Sequence, residues 1–272
     1  MKPPWKSASF HDPWMEAIFH SPEEDGPRFE AAKQLDASGQ PVRAEFVRVQ
    51  LERTQAERSY EPGRFHALGV RENELSGRLE PDPIADELRA RGATRVMYGR
   101  GFVDGIEIDT ELFLAQFYEL RALAPLLRLR LTSAEKHISE LTSSGVLASV
   151  VALDLTHNHL GDDGIKRLLG TIPFTRLTWL DLRWNGIGLD GLRAIAKETQ
   201  RILPRLQWLH VSGVDFRSPC DEFIDEDGRL IDWLETDLGR ELESQFGELR
   251  WLHYRPNHLR FFPPSMTHFV GT

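Results

Sequence analysis

Cysteine and long apolar runs are both scarce in this sequence. A single cysteine, Cys220, occurs among 272 residues, so an intramolecular disulfide and a multi-cysteine metal site are excluded and a reducing compartment is favoured. The longest apolar stretch, near residues 146–153, is far shorter than the roughly 20 residues that a membrane helix needs. Residues 1–19 contain no uninterrupted apolar segment typical of a secretory signal. These absences predict a cytoplasmic protein that does not bind membranes.

The sequence also lacks a basic stripe. Its net charge is −9, and residues 217–248 alone contain 11 acidic and 3 basic side chains. Nucleic-acid affinity comes mostly from phosphate neutralisation by lysine and arginine, so nucleic acid is not a predicted partner. A run of acidic residues is usually a solvated surface, and the alternative is that it attracts a basic partner.

Residues 10–58 are predicted to be helical. Three helix-like stretches are separated by "SPEEDGP" and "DASGQP". The first begins at Pro13, and the third has Phe46 and Val49 on its buried side. Further helix is expected between residues 64 and 91, interrupted near Pro81 and Pro83.

Two segments of this helical part, "EAIFHSPEEDGPRF" and "GQPVRAEFVRVQ", resemble the bacterial repeat-companion domain. That domain is a short N-terminal module found ahead of leucine-rich repeats. The resemblance covers about residues 13–51 and departs from the family at 31–35, where the usual Tyr-Ala-Asp-Trp-Leu is replaced by "AAKQL". It implies no catalytic activity.

From about residue 96 the sequence becomes periodic. The segments "VVALDLTHNHL" (150–160) and "LTWLDLRWNGI" (177–187) align at an offset of 27 residues, and "LQWLHVSGVDF" (206–216) follows after 29. A further copy, "LRWLHYRPNHL" (249–259), comes 43 residues later, while "LLRLRLTSA" and "VDGIEID" upstream match less well. The pattern Leu-x-x-Leu-x-Leu-x-x-Asn-x-Leu resembles leucine-rich repeats of the ribonuclease-inhibitor-like class.

The repeat has a physical basis. Leucines two residues apart in a strand point into the same core, and the Asn amide can satisfy backbone groups where the chain leaves the strand. Helices are predicted to begin in "GDDGIKRLLGTI" and "GLDGLRAIAKET", with an aspartate near each N-terminus. One such coil cannot bury its apolar face alone, so several must stack.

The predicted fold is therefore α/β. It consists of a short right-handed leucine-rich-repeat solenoid of about five or six coils, with parallel strands on the concave face, helices on the convex face and an α-helical N-terminal module. The predicted divisions are a module at 1–60, a helical connector at 61–95, and the solenoid at 96–272 with an acidic insertion at about 217–248. Within the insertion we expect a hairpin, "EFIDEDGRLI", and a helix, "DWLETDLGRELESQF". Phe261 and Phe262 are expected to cover the last coil.

Several local patterns resemble chemical sites only slightly. His157, His159, Asp162 and Asp163 lie close together in sequence, but the repeat alignment assigns the histidines to turns and the aspartates to a helix start. "DEFIDEDGRLID" lacks two essential ligands of a calcium loop, and "YGRGFVDG" lacks the P-loop lysine. Acidic neighbours raise the pKa of a thiol, which disfavours Cys220 as a nucleophile. No metal, cofactor or catalytic residue is predicted.

The strongest functional feature is the set of strand positions that face the concave side of the sheet. Aligned repeats bring tryptophans into one column and charged or polar residues into the next two, a composition typical of protein-binding surfaces. The alternative is that the tryptophans stack on one another or on the acidic insertion. The predicted partner-binding residues are Trp179, Trp208, Trp251, Asp181, Arg183, His210, His253 and Arg255.

The predicted function is a non-enzymatic adaptor or scaffold that binds a protein partner on this concave face. One alternative is a regulatory or inhibitory subunit whose acidic insertion blocks a basic site of its partner, which would make binding salt-dependent. A third hypothesis is an enzyme with a groove site that uses Asp154, Asp181, His210 or His253.

Overall fold

The computed structural model describes residues 13–21, 24–59, 61–170, 174–211 and 237–253. The chain divides into two units. Among the described residues, the first unit runs to Ile106 and includes Tyr118–Leu126, and the second comprises Glu107–Phe117 and the described residues that follow Leu126. The boundaries predicted from sequence, at about residues 60 and 95, stay a prediction.

The N-terminal part is helical, as predicted. Pro81 lies between two of its helices, and Pro83 opens the second of them, as expected from a residue that is tolerated in the first turn and not in a helix interior. The helices are α1 (Pro13–His20), α2 (Gly26–Ala37), α3 (Pro41–Arg58), α4 (Pro62–Ser76) and α5 (Pro83–Ala90).

Apolar packing and a buried polar cluster hold these helices together. Phe46 and Val49, expected on the buried side of α3, are buried, and Phe46 packs with Leu75 of α4. Beside them, Glu72 accepts hydrogen bonds from Gln50 at 2.6 Å and from Arg53 at 2.7 Å, so that its buried carboxylate is paired. The resemblance of this region to the repeat-companion domain stays a prediction.

A sheet occupies the middle of the chain. Its strands are β1 (Arg95–Gly99), β2 (Phe102–Asp109), β3 (Arg128–Thr132), β4 (Ala152–Asp154), β5 (Trp179–Asp181) and β6 (Trp208–His210), and they neighbour one another in that order. The strands β3 to β6 are parallel. Together with the helices between them they confirm the α/β prediction, while the solenoid geometry stays a prediction.

The helices that lie between and after the strands include α6 (Thr110–Ala115), α7 (Phe117–Leu123), α8 (Ile138–Ser143), α9 (Gly161–Leu168) and α10 (Leu189–Ile202). A short 3-10 helix, Ala134–His137, precedes α8. The helices α8, α9 and α10 pack side by side in that order, as the strands do. The central leucines of two strands, Leu153 in β4 and Leu180 in β5, are buried. These leucines contribute to the core between the sheet and the helices.

The predicted asparagine ladder is present. Asn185 is buried, and its Oδ1 accepts hydrogen bonds from the backbone N–H groups of Asn158 and Leu160 in the preceding repeat. Its Nδ2 donates to the carbonyls of Leu155 and Leu182. Asn158 repeats the arrangement one coil earlier, accepting from Ala134 N and donating to the carbonyl of Leu131. Each amide thereby joins neighbouring coils where the chain turns off the strand.

Asp162 lies near the start of α9, as predicted, and it also connects two repeats. It lies in the first turn of α9, but no side chain caps this helix. Its Oδ1 instead accepts a hydrogen bond of 2.7 Å from the backbone N–H of Gly188 in the following repeat. The motif "GDDG" therefore connects two coils, because the start of one helix lies beside the turn that leads into the next.

The chain ends its described part with α11 (Asp237–Phe246) and α12 (Arg250–His253). The first agrees with the helix predicted at the end of the acidic insertion, and it packs on α10, with an ion pair of 2.9 Å between Arg193 and Glu241. The strand expected in "LRWLHY" is wrong, because residues 250–253 form one helical turn that contacts β6. The predicted hairpin and the predicted cover of the last coil lie outside the described residues.

Candidate functional site

One side of the sheet carries polar and aromatic side chains, because successive residues of a strand point to opposite faces and the other side is leucine core. We call this side the polar face. The strand register pairs Ala152 with Trp179 and Trp179 with Trp208, and it pairs Asp154 with Asp181 and Asp181 with His210. The polar face comprises Glu107, Arg128, Arg130, Ala152, Asp154, Thr156, Trp179, Asp181, Arg183, Trp208 and His210.

Two tryptophans of the polar face stack on each other. The rings of Trp179 and Trp208 are parallel within 2°, with centroids 4.5 Å apart, and His210 meets Trp208 edge-on at 5.2 Å. Trp179 is only 4% exposed, whereas Trp208 and His210 are half-buried. The stacking alternative is therefore confirmed for this pair. Trp208 is the tryptophan of the pair that offers accessible surface.

The third predicted tryptophan is not on the polar face. Trp251 lies in α12, is 4% exposed, and donates a hydrogen bond of 3.0 Å from its indole Nε1 to the hydroxyl of Thr199 on α10. Its predicted alignment with Trp179 and Trp208 is wrong, because the chain is helical where a strand was expected. The side chain of His253, in the same helix, and all of Arg255 lie outside what the structure describes.

Charged side chains on the polar face are paired. Arg183 contacts the carboxylate of Asp181 through Nε and Nη2, at distances of 2.6 to 3.0 Å, and its backbone N–H also donates to Asp181 Oδ1. Arg130 lies between two carboxylates, with Nη1 3.5 Å from Glu107 and Nε 3.6 Å from Asp154. Each of these two guanidinium groups therefore lies against at least one carboxylate of the polar face.

Burial changes the acid–base behaviour of this surface. It raises the pKa of both Asp154 and Asp181 above the ordinary aspartate value, and the nearby arginines oppose that rise. Burial, together with the positive charge of Arg183, lowers the pKa of His210 to about 4. His210 is therefore neutral at pH 7, where it can form contacts but has no proton to donate as an imidazolium.

Sequence reasoning missed the contribution of β2 and β3 to this surface. Arg130 aligns with Asp154, and Arg128 aligns with Ala152, so the two arginines extend the columns in which the predicted residues lie. The signal was present in "LLRLRLT", where arginines alternate with leucines. That segment lacks the asparagine of the repeat, so its position in the pattern was less evident.

The histidines of "THNH" lie in turns, as the repeat alignment predicted. His157 and Trp184 occupy equivalent positions with left-handed backbone, each with φ of 59°, and their rings stack at 5.5 Å. Trp184 is 51% exposed, and it lies in the turn after β5, where it stacks on His157. Within the described ranges, no three histidine, cysteine or carboxylate side chains are grouped in a way that could hold a metal ion.

Comparison with known proteins agrees with the repeats seen in the sequence. The family model described as "Leucine Rich repeat" matches residues 146–169 and 175–196. These two segments are similar to leucine-rich repeats. Repeats of this kind generally mediate protein–protein interaction and are typically not enzymes. No curated protein matches the chain. None of the described helices has the length and apolar character needed to span a bilayer.

Proposed function

We propose that this protein is an interaction module that binds a protein partner on its polar face. The observation that carries the proposal is the half-buried Trp208, stacked on Trp179 and edge-on to the half-buried His210, with the half-buried Arg183 near His210. Tryptophan and arginine are the residues most enriched where interfaces concentrate their binding energy. The leucine-rich repeats that present them are generally binding modules.

Pre-organisation supports the same proposal. Stacking holds Trp208 in one orientation, and the contact with Asp181 holds the guanidinium of Arg183. A side chain that is already ordered loses little conformational entropy when a partner binds, so its contacts contribute more to affinity. Trp179 and Asp181 would then act as supports, while Trp208, Arg183 and His210 make the contact.

We include in the proposal that the repeats form the predicted solenoid. The proposed binding surface differs in one respect from the surface predicted from sequence. If parallel strands line the concave side, as in leucine-rich repeats, then the polar face is concave. Trp251 is not included, because its indole is buried against Thr199. His253 and Arg255 stay predictions.

Two tryptophans provide a matched test. Trp208→Ala removes a half-buried ring on the polar face, and Trp184→Ala removes a more exposed ring in the turn after β5. Partner capture by the full-length chain from its native cells, measured by quantitative mass spectrometry, should be lost with Trp208→Ala and retained with Trp184→Ala. Loss with Trp184→Ala alone, or retention with both variants folded, would refute the polar face as the binding surface.

The same capture separates this proposal from that of an inhibitory acidic insertion. In the described part of that segment, Glu241 pairs with Arg193 and Glu243 accepts a hydrogen bond from the backbone of Leu249. These two acidic side chains are thus engaged within the chain. If replacing residues 217–236 with a neutral linker abolishes capture while Trp208→Ala does not, the inhibitory alternative is favoured.

A further inference from the structure

Hydrogen-bond acceptors on the polar face are largely used within the chain. Both carboxylate oxygens of Asp181 accept hydrogen bonds from Arg183, and Oδ1 of Asp154 accepts one from the backbone of Thr156. The side chains of Asp181 and Asp154 are also almost inaccessible, at 0% and 9% exposure. The third carboxylate of this face, Glu107, is 15% exposed, so a partner finds little accessible carboxylate on this surface.

Two buried hydrogen-bond donors on the same face have no acceptor among the described residues. In the part of the chain that the structure describes, neither Nε of Arg130 nor the indole Nε1 of Trp179 donates a hydrogen bond. The two carboxylates beside Arg130 lie 3.5 and 3.6 Å away, farther than the roughly 2.9 Å of a normal N–H···O bond. Arg130 is thus neutralised by charge while its buried Nε makes no hydrogen bond, and a quarter of its side chain is exposed to a partner.

Two of the arginine side chains of this face are also more exposed than its carboxylates. The side chains of Arg130 and Arg183 are 25% and 26% exposed, clearly more than the carboxylates that flank them. A partner that approaches the polar face meets two ordered guanidinium groups above buried negative charge. Such groups are suited to planar, bidentate recognition of a carboxylate.

We propose that the partner of the polar face presents an acidic peptide segment whose aspartate or glutamate carboxylates bind Arg130 and Arg183, on the same face of the sheet as Trp208. The inference rests on the proposed function and identifies the chemistry of the partner. A peptide fits better than a nucleic acid, because two guanidinium groups in a chain of net charge −9 cannot neutralise a run of phosphates.

The test measures binding of fluorescent decapeptides to the full-length protein by anisotropy at low salt. An oligoglutamate peptide should bind, and oligoglutamine and oligolysine peptides of the same length should bind at least about tenfold more weakly, since hydrogen bonds to charged groups contribute that much. Arg130→Gln should weaken oligoglutamate binding by about tenfold, and Arg130→Lys by less, because lysine keeps the charge and loses the planar donors. Arg193→Gln, which removes a half-exposed arginine from α10, should leave the affinity unchanged.

Each other result overturns the inference. Equal binding of the oligoglutamine or oligolysine peptide, tighter binding of a single-stranded oligonucleotide, or an unchanged affinity in Arg130→Gln contradicts it. Binding that occurs only after residues 217–236 are replaced by a neutral linker would identify the chain's own acidic segment as the occupant. If Arg130→Gln lowers the melting temperature, the folded Arg130→Lys variant is decisive. Should Trp208→Ala abolish partner capture while acidic peptides do not bind, only the acidic chemistry is wrong and the proposed function stands.

Discussion

Replacing Asn185 with alanine tests whether the asparagine ladder connects the repeats. The amide of Asn185 is buried and satisfies two backbone N–H groups, those of Asn158 and Leu160, and two carbonyls, those of Leu155 and Leu182. It also donates to the carbonyl of Arg183, but that oxygen keeps a second hydrogen bond from His157. Alanine therefore leaves four buried backbone groups without this partner.

The expected loss follows from those four groups. An unsatisfied buried polar group costs about 1 to 3 kcal/mol, and water that enters the small space left by the amide recovers part of this cost. Counting only the two N–H groups, at about 1.5 kcal/mol each, we expect Asn185→Ala to lower the free energy of unfolding by about 3 kcal/mol. Asn73→Ala, at an exposed position on α4, should change it by less than about 0.5 kcal/mol.

Urea denaturation followed by circular dichroism gives both values. A similar loss of unfolding free energy in Asn185→Ala and Asn158→Ala would show that the two asparagines contribute about equally to stability. A loss below about 1 kcal/mol in Asn185→Ala would refute the reasoning, because it would mean that the backbone groups find other partners at little cost.

Three further predictions concern other parts of the chain. Burial raises the pKa of Glu57 to about 7. The stability contributed by its protonated form is therefore fully present below the ordinary carboxyl pKa and is lost as the pH rises through 7. In calorimetry, Glu57→Gln should raise the melting temperature by roughly 2 °C at pH 8 and by less at pH 5. Gly101→Ala places a Cβ 2.7 Å from the Cα of Val47 at a backbone φ of +90°, and thermal melts should show a loss of several degrees. Trp251→Phe removes the hydrogen bond to Thr199, and urea denaturation should report about 1 kcal/mol of lost stability with no change in partner capture.

The repeats were predictable because their signals are local. Leu153 and Leu155 alternate as a strand requires, and Asn158 follows at the distance at which the chain must turn, so pattern and physical requirement coincide. The same holds for Pro83, which opens a helix at the expected break. These features depend on a few neighbouring residues and on one repeat offset.

Other features depend on contacts that no local pattern records. The segment "RWLH" fits a strand and equally fits one helical turn, and the packing of Trp251 on Thr199 accompanies the helix. Asp162 lies in the first turn of a helix, as predicted, yet the backbone N–H that it binds belongs to Gly188 in the next coil. The burial of Trp179 follows from its stack with Trp208 across two strands.

The polar face itself was predicted in part. Alignment of the repeats assigned Trp179, Trp208, Asp181 and His210 to neighbouring columns, and the strand register agrees with that alignment. Whether these residues bind a partner stays a prediction. Arg130 was missed because its strand lacks the asparagine that marks the repeat, although it occupies the same column as Asp154.

Site-specific photo-crosslinking tests the central claim most directly. A benzophenone amino acid placed at position 207, an exposed residue beside Trp208, and separately at position 184, in the exposed turn, reports which surface lies against the partner while Trp208 is kept. The account predicts a covalent adduct with the partner from position 207 and none from position 184. An adduct from position 184 alone would contradict it.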